Sequence, residues 1–242
     1  MGCLTLPGSG NTRWESQGRR LGAVLKSRMD HLKRSRSELL TKLSRRIRSP
    51  ETLRAMASVP RERFVPPEQR SIAYADIPLS IGGGQTISQP TMVAEMTAAL
   101  RLSSRDKVLE VGTGSGYQAA VLAEAVPDGF VVTVERLPAL AAQAEATLQQ
   151  LDYRNVVVEP AGPALGCPER GPYDAILVAA AAPAIPQSLL SQLRVGGRMA
   201  LPVGSREQQE LLLVLRTGEG ISISDLGPCR FVPLLGAEGF GE

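Results

Sequence analysis

The sequence predicts an α/β fold, doubly wound around a mostly parallel sheet. From residue 106 onward, short runs rich in Val, Leu and Ile alternate with longer segments rich in Ala, Leu and Gln. The runs have the length of buried strands and the longer segments that of helices, so each strand should be followed by a crossover helix. The predicted strands are KVLEVG, FVVTVE, NVVVE, YDAILVAA and GRMALPV, and the predicted helices cover 115–126, 138–150 and 186–193.

Two further strands are predicted near the end of the chain, QELLLVLR and a segment around 230–234. Neither is preceded by a helical pattern. Strands joined without a crossover helix pair antiparallel, so these two should form an antiparallel edge on the sheet.

The chain before the sheet is predicted to be helical first and irregular afterwards. Leucines at helical spacing among charged residues predict a helix over 13–47, and a Ser-Pro pair predicts the start of another over 50–58. Proline and glycine punctuate residues 60–88, which predicts mostly loop. A third helix should begin at Pro90, with Ser88 or Gln89 near its cap.

The charge distribution separates an N-terminal arm from the body of the protein. Residues 1–50 carry 12 Lys and Arg against 3 acidic residues, whereas the rest of the chain carries 15 against 21. We therefore expect a basic extension over residues 1–40, partly helical or disordered, and a single domain over 41–242. The arm could dock on an anionic surface, but a solvated helix is the simpler reading, and no nucleic-acid partner is expected.

The composition excludes several kinds of site. Three scattered cysteines and one histidine, His31, argue against a disulfide framework, a metal site and a histidine base. No apolar run is long enough to span a bilayer, and no signal-peptide core follows Met1. These features predict a cytoplasmic protein without membrane attachment, and we expect a monomer.

A glycine-rich turn follows the first predicted strand, in the segment VLEVGTGSGY at 108–117. Such a turn at the carboxyl end of a strand in an open α/β sheet is where ligands bind. The spacing is G-x-G-x-G and not the dinucleotide G-x-G-x-x-G, and Glu110 precedes it. An acid there suits an ammonium group better than a pyrophosphate. Glu135 ends the next strand, where a carboxylate can accept both ribose hydroxyls. The pattern favours S-adenosylmethionine as cofactor.

With these segments in place, the chain resembles the protein-L-isoaspartate O-methyltransferase family between about residues 40 and 235. GTGSGY alone indicates only the methyltransferase superfamily. GQTIS followed by Pro, upstream of the cofactor loop, is far more specific. The matching stretches are VPRERFVP, AYADIPLSIGGGQTISQP, VLEVGTGSGYQAAVLA, VTVER, YDAILVAAAAPAIPQSLLSQLRVGGRMALPVG and CRFVPLLG.

The resemblance implies the Rossmann-like methyltransferase fold and a repair activity. A methyl group would move from S-adenosylmethionine to the α-carboxylate of L-isoaspartyl residues in damaged proteins, with Ser88 as the residue for chemistry. The implied substrate-binding residues are Thr86, Ile87, Ser88, Ala181, Phe231 and Val232. The implied cofactor-binding residues are Glu110, Gly112, Thr113, Gly114, Ser115, Gly116, Glu135 and Arg136.

The chain departs from the family pattern at Gly162. The family usually has Gly-Asp-Gly after the third strand, and alignment through Leu165 and Gly166 places Gly162 at the aspartate. The expected contact to the adenine amino group is therefore lost, which predicts weak cofactor binding. Two alternatives stay open: methylation of another carboxylate or a small molecule, and a non-catalytic module that binds isoaspartyl segments.

Overall fold

The computed structural model describes residues 12–241, and its centre is a seven-stranded sheet of order β5-β4-β3-β6-β7-β8-β9. β3 to β7 are parallel, and β8 and β9 add an antiparallel edge. The predicted fold class is thereby confirmed. The strands are β1 (Leu79–Gly82), β2 (Gln85–Ile87), β3 (Lys107–Val111), β4 (Phe130–Glu135), β5 (Val156–Pro160), β6 (Tyr173–Val178), β7 (Leu193–Gly204), β8 (Gln209–Arg216) and β9 (Ile221–Cys229).

The strand order reverses at β3, which creates the topological switch point of the sheet. β3 pairs with β4 on one side and with β6 on the other, in registers that place Leu109 beside both Val132 and Ile176. All three side chains are fully buried, so β3 is fixed from both faces and both edges. The carboxyl ends of β3, β4 and β6 therefore open onto one crevice, where ligands of such sheets bind.

Within residues 12–241 the α-helices are α1 (Thr12–Arg46), α2 (Pro50–Ser58), α3 (Pro90–Ala99), α4 (Tyr117–Ala125), α5 (Pro138–Gln150) and α6 (Gln187–Gln192). The Ser49 side chain accepts a hydrogen bond from the Thr52 amide at 3.2 Å and caps α2, as the sequence predicts. None of the helices within residues 12–241 is both long and apolar enough to cross a membrane.

Helix α1 is continuous across the predicted boundary at residue 40. Its last turns bury Leu39 and Leu43, and Ile47 directly after the helix joins them, in the same cluster as α2 and α4. The Gly-, Ser-, Thr- and Pro-rich residues 1–12 are expected to be disordered; Thr12 is instead the first residue of α1, and residues 1–11 lie outside the described part of the chain. The division into an extension and a domain stays a prediction.

Two regions differ from the sequence-based expectation. The segment 60–88 contains the antiparallel hairpin β1–β2, whose turn uses three glycines with positive φ, Gly82 to Gly84. Three consecutive glycines predict a loop, so propensity alone gave no sign of the strands on either side. The turn requires glycine, because other residues rarely adopt its positive φ angles. The last strand is β9 and not 230–234, which contributes only an isolated bridge between Ala181 and Pro233.

Candidate active site

The glycine turn after β3 brings the backbone to the crevice. Gly112, Gly114 and Gly116 all have positive φ, as a turn this tight requires. The amides of Gly112 and Thr113 both donate to the Val134 carbonyl, at 2.9 and 3.2 Å. Gly116 packs against α5, because a Cβ there would lie 3.3 Å from the Cβ of Ala144 and 3.4 Å from Leu148.

Glu110 lies at the bottom of the crevice with no solvent exposure. Its Oε2 accepts a hydrogen bond of 2.6 Å from the Thr133 hydroxyl, which is itself 2.6 Å from the Thr113 hydroxyl. Its Oε1 has no hydrogen-bond partner within residues 12–241. The pKa of Glu110 is raised to about 8, mainly by burial. The Thr133 hydrogen bond lowers the pKa, and the nearby charge of Glu135 adds a smaller increase. A ligand cation would satisfy this orphaned oxygen.

Glu135 is held at the end of β4 by two backbone amides. Its Oε2 accepts from Gly114 at 2.8 Å, and its Oε1 accepts from Leu137 at 2.9 Å. Each carboxylate oxygen keeps a second lone pair, so the group can still accept from a diol. The tip of the β1–β2 hairpin approaches the same place, because a Cβ at Gly83 would lie 3.3 Å from Leu137 Cδ1.

Ser88 directly follows β2, and its hydroxyl has no hydrogen-bond partner in the described chain. It does not cap α3, although its position before Pro90 would suit a cap. Gln89 occupies the cap position without a side-chain bond. Asp76 caps α3 instead, because its carboxylate accepts hydrogen bonds from the Thr91 amide at 2.9 Å and from the Thr91 hydroxyl at 2.7 Å. The Ser88 hydroxyl is thereby left available for a ligand.

Asp76 is itself anchored to α1 by Lys42, whose Nζ lies 2.7 Å from its Oδ2. Burial works to raise the pKa of Asp76, but the hydrogen bonds from Lys42 and Thr91 outweigh it and hold the pKa below its usual value. The carboxylate is therefore charged at neutral pH and interacts favourably with the positive end of α3. Sequence spacing gives no signal of this contact, because 15 residues separate Asp76 from Thr91.

These elements enclose one cavity of about 490 Å³. Predicted site residues that line it are Thr86, Ile87, Ser88, Glu110, Gly112, Thr113, Gly114, Ser115, Glu135, Arg136, Phe231 and Val232. Two predicted residues, Gly116 and Ala181, are not part of the lining. The structure thus brings residues 86–88 and the glycine turn after β3 to the same space.

Ala181 is buried, and its backbone is already paired within the chain. Its amide donates to the Val232 carbonyl at 2.8 Å, and its carbonyl accepts from Leu234 at 2.7 Å. Phe231 is similarly committed, since its amide and carbonyl both bond the Gln209 side chain. The backbone groups of Ala181 and Phe231 therefore already have partners within the chain, and the binding of a peptide by these two residues stays a prediction. Ala180, which directly precedes Ala181, lines the cavity.

A third wall of the cavity was not predicted from the sequence. Residues 234–239, at and after the end of the predicted last strand, line it together with Ser188 at the start of α6. Glu238 accepts a hydrogen bond of 3.2 Å from the Ser188 amide, which fixes this segment to the helix. The Ser188 side chain is the main influence that lowers the pKa of Glu238, and the amides of Ser188 and Gln187 add to it, against the opposing effect of burial. The glycines of LLGAEGF were the only signal.

Gly162 lies exposed on the cavity wall after β5. A Cβ built there meets no atom within 4 Å, and the residue does not have the positive φ that excludes other side chains. Its place beside the cavity fits the position of the missing aspartate, and nothing in the local backbone requires glycine.

The donor set fits S-adenosylmethionine. The unpaired Oε1 of Glu110 can hold an ammonium group, the carboxylate of Glu135 can accept ribose hydroxyls, and the glycine turn lets the backbone approach closely. Glu110 lies in β3 and Glu135 is the last residue of β4, and both strands end in the crevice.

Comparison with known proteins gives the same assignment. The model of the family described as protein-L-isoaspartate(D-aspartate) O-methyltransferase matches residues 34–239. A protein-L-isoaspartate O-methyltransferase 2 from Pelobacter propionicus is 54% identical over 200 residues, which is 82% of this chain and 88% of that protein. A protein-L-isoaspartate O-methyltransferase from Methanopyrus kandleri is 51% identical over 215 residues, or 87% and 95% of the two chains.

Solved structures agree with these relatives. A protein-L-isoaspartate O-methyltransferase superposes with a TM-score of 0.77 at 29% identity, covering 84% of this chain and 67% of the other. A second, from Plasmodium falciparum in complex with S-adenosyl-L-homocysteine, gives 0.69 at 26% identity and covers 81% and 95%.

Proposed function

Since the chain belongs to the protein-L-isoaspartate(D-aspartate) O-methyltransferase family, we propose that it transfers a methyl group from S-adenosylmethionine to the α-carboxylate of L-isoaspartyl residues in damaged proteins. The observation that carries the proposal is the unpaired hydroxyl of Ser88, which borders the same cavity as Glu110 and Glu135. One chain supplies both the acceptor side and the donor side of the reaction.

The residues that line the cavity suit a carboxylate nucleophile. None of them is a histidine or a cysteine, in the part of the chain that the structure describes. An isoaspartyl carboxylate is ionised at neutral pH and needs no base. When bound, S-adenosylmethionine supplies an electrophilic methyl group on a sulfonium sulfur. The remaining task is to align the carboxylate with that methyl and to exclude water.

Ser88 is suited to the alignment. A neutral hydroxyl donates one hydrogen bond to a carboxylate oxygen and leaves the other oxygen nucleophilic, whereas a lysine or arginine would neutralise the group more fully. Ile87, which is buried, fixes the strand that precedes Ser88. Glu110 and Glu135 hold the opposite side of the cavity, where positive charge is favoured.

A methyl-transfer assay with matched peptides tests the proposal. The protein is incubated with labelled S-adenosylmethionine and either an isoaspartyl peptide or its aspartyl twin. We expect base-labile label on the isoaspartyl peptide alone. Label on both peptides, or on a small carboxylic acid only, would indicate a different acceptor. Peptide binding without label would indicate a non-catalytic module.

The role of Ser88 is tested by Ser88→Ala. Losing a hydrogen bond to a charged group costs about 1.5–3 kcal/mol, so kcat/KM for the peptide should fall roughly tenfold to a hundredfold. Ser80→Ala is the matched control, because Ser80 is exposed on the same hairpin and is not part of the cavity. Equal activities of the two variants would contradict the role of Ser88.

The proposal also includes a cytoplasmic monomer in which residues 1–40 are an extension to the domain of 41–242. A cavity built from one chain supports the monomer, and the family match from residue 34 supports the extension. Sedimentation of the full chain would show a single species near 25.8 kDa. Activity that is unchanged after deletion of residues 1–33 would agree with an extension, and its loss would contradict it.

A further inference from the structure

Arg61 is a charged side chain without any solvent exposure. It lies in a short 3₁₀ turn, Arg61–Arg63, which follows α2. Its Nε donates to the Ala73 carbonyl at 2.7 Å, and its Nη2 donates to the Ser88 carbonyl at 2.8 Å. The guanidinium carbon lies 4.7 Å from the centre of the Tyr117 ring, in cation–π contact.

Stability alone does not explain this arrangement. Within residues 12–241, Arg61 forms no ion pair with a carboxylate, and its Nη1 is buried without a hydrogen-bond partner. Removing an arginine from water is costly, and a neutral acceptor compensates less than an anion does. An apolar side chain of similar size would fill the space at lower cost. A buried charge kept under these conditions points to a positional role.

The three contacts of Arg61 connect parts of the chain that the reaction must align. Ala73 precedes the β1–β2 hairpin and Ser88 follows it, so the guanidinium ties both ends of the hairpin together. Tyr117 is the first residue of α4, directly after the cofactor turn. Since Arg61 itself does not line the cavity, it acts through the Ser88 backbone.

We propose that Arg61 is a positioning residue, which fixes the Ser88 segment relative to the cofactor turn and thereby sets where the substrate carboxylate is held. The planar, forked guanidinium can reach two carbonyls while it stacks on a ring. A lysine ammonium cannot do all three at once. The inference rests on the proposed function, because it concerns the acceptor side of the same site.

Two substitutions and one control test the inference. Arg61→Met removes the charge and both hydrogen bonds, and Arg61→Lys keeps the charge but not the bridge. Leu43→Ala is the control for lost stability, because Leu43 is buried in α1, does not line the cavity and makes no hydrogen bond to the Ser88 segment through its side chain. Each protein is assayed with the isoaspartyl peptide well below its melting temperature. S-adenosylhomocysteine affinity and amide exchange over 85–89 are measured in parallel.

We expect kcat/KM for the peptide to fall about tenfold to a hundredfold in Arg61→Met and less in Arg61→Lys. Amide exchange over 85–89 should accelerate in both variants. The affinity for S-adenosylhomocysteine should stay within about threefold of the wild-type value, which corresponds to about 0.6 kcal/mol. Leu43→Ala should lower the melting temperature without these effects.

Wild-type kinetics and exchange in both Arg61 variants would overturn the inference, as would the same kinetic loss in Leu43→Ala. If Arg61→Met does not fold, the milder Arg61→Lys decides between these outcomes. If the wild-type protein methylates neither peptide, the proposed function fails on its own. The exchange over 85–89 then still shows whether Arg61 holds the Ser88 segment.

Discussion

Restoring an acid at position 162 should strengthen cofactor binding. The Gly162→Asp substitution meets no steric obstacle, because a Cβ there has no neighbour within 4 Å and the backbone does not have a positive φ. A charge-assisted hydrogen bond to the adenine amino group contributes about 1.5–3 kcal/mol. Because residue 162 is exposed, solvent competes for the carboxylate, and the lower value applies. It corresponds to roughly tenfold tighter binding.

Calorimetric titration with S-adenosylhomocysteine measures the effect of Gly162→Asp directly. Gly218→Asp is the matched control, since Gly218 is equally unobstructed but lies in the turn between β8 and β9, outside the cavity. A ligand with hypoxanthine in place of adenine is the second control, because its carbonyl cannot donate to the new carboxylate. A gain for Gly162→Asp with both ligands, or no gain with either, would refute the assignment of this wall to adenine.

Three further predictions concern single side chains. Because burial raises the pKa of Glu110 to about 8, its contribution to stability is complete below its unfolded pKa near 4.5 and is lost as pH rises to about 8. Glu110→Gln should remove this slope in melts from pH 5 to 9, and weaken S-adenosylhomocysteine binding about tenfold or more at pH 8. If stability depends on pH equally in Glu110→Gln and in the wild type, the raised pKa of Glu110 is contradicted. Asp76→Ala removes a cap and should cost about 1–2 kcal/mol at pH 7 in urea melts. Because the pKa of Asp76 is lowered, the difference should shrink below pH 3.8, and a constant difference would argue against the charge. Leu43→Ala should cost about 2–5 kcal/mol, and a value below about 1 would show that α1 is dispensable for the core.

Local pattern was sufficient for most of the fold. The predicted helices over 50–58 and 138–150 coincide with α2 and α5, because Pro opens each and an apolar stripe sustains it. β9 escaped prediction because it is mostly exposed at the sheet edge and because the alternation in its sequence, ISISDLGPC, is short and is followed by Asp, Gly and Pro. An edge strand is defined by its neighbour more than by its own residues, so pairing with β8 settled what propensity did not.

The part of the site that lies within one continuous segment could be predicted, and the part formed by segments distant in sequence could not. Glu110 and the glycine turn lie within one βαβ unit, so spacing alone indicated their role. Asp76 at the start of α3, Arg61 beneath Ser88 and the wall formed by 234–239 depend on contacts between segments that only the fold brings together. A free Ser88 hydroxyl follows from Asp76, and no reading of Ser88-Gln-Pro could reveal that.

The cavity draws its two sides from different lengths of chain, which has a consequence for redesign. The donor side comes from β3, β4 and the turn between β3 and α4, all within the buried sheet. The acceptor side comes from the hairpin ahead of the sheet and the segment 231–239 behind it. The preference for an acceptor can therefore be changed by replacing the sequences of these two outer segments, while the donor side of the cavity is left unchanged.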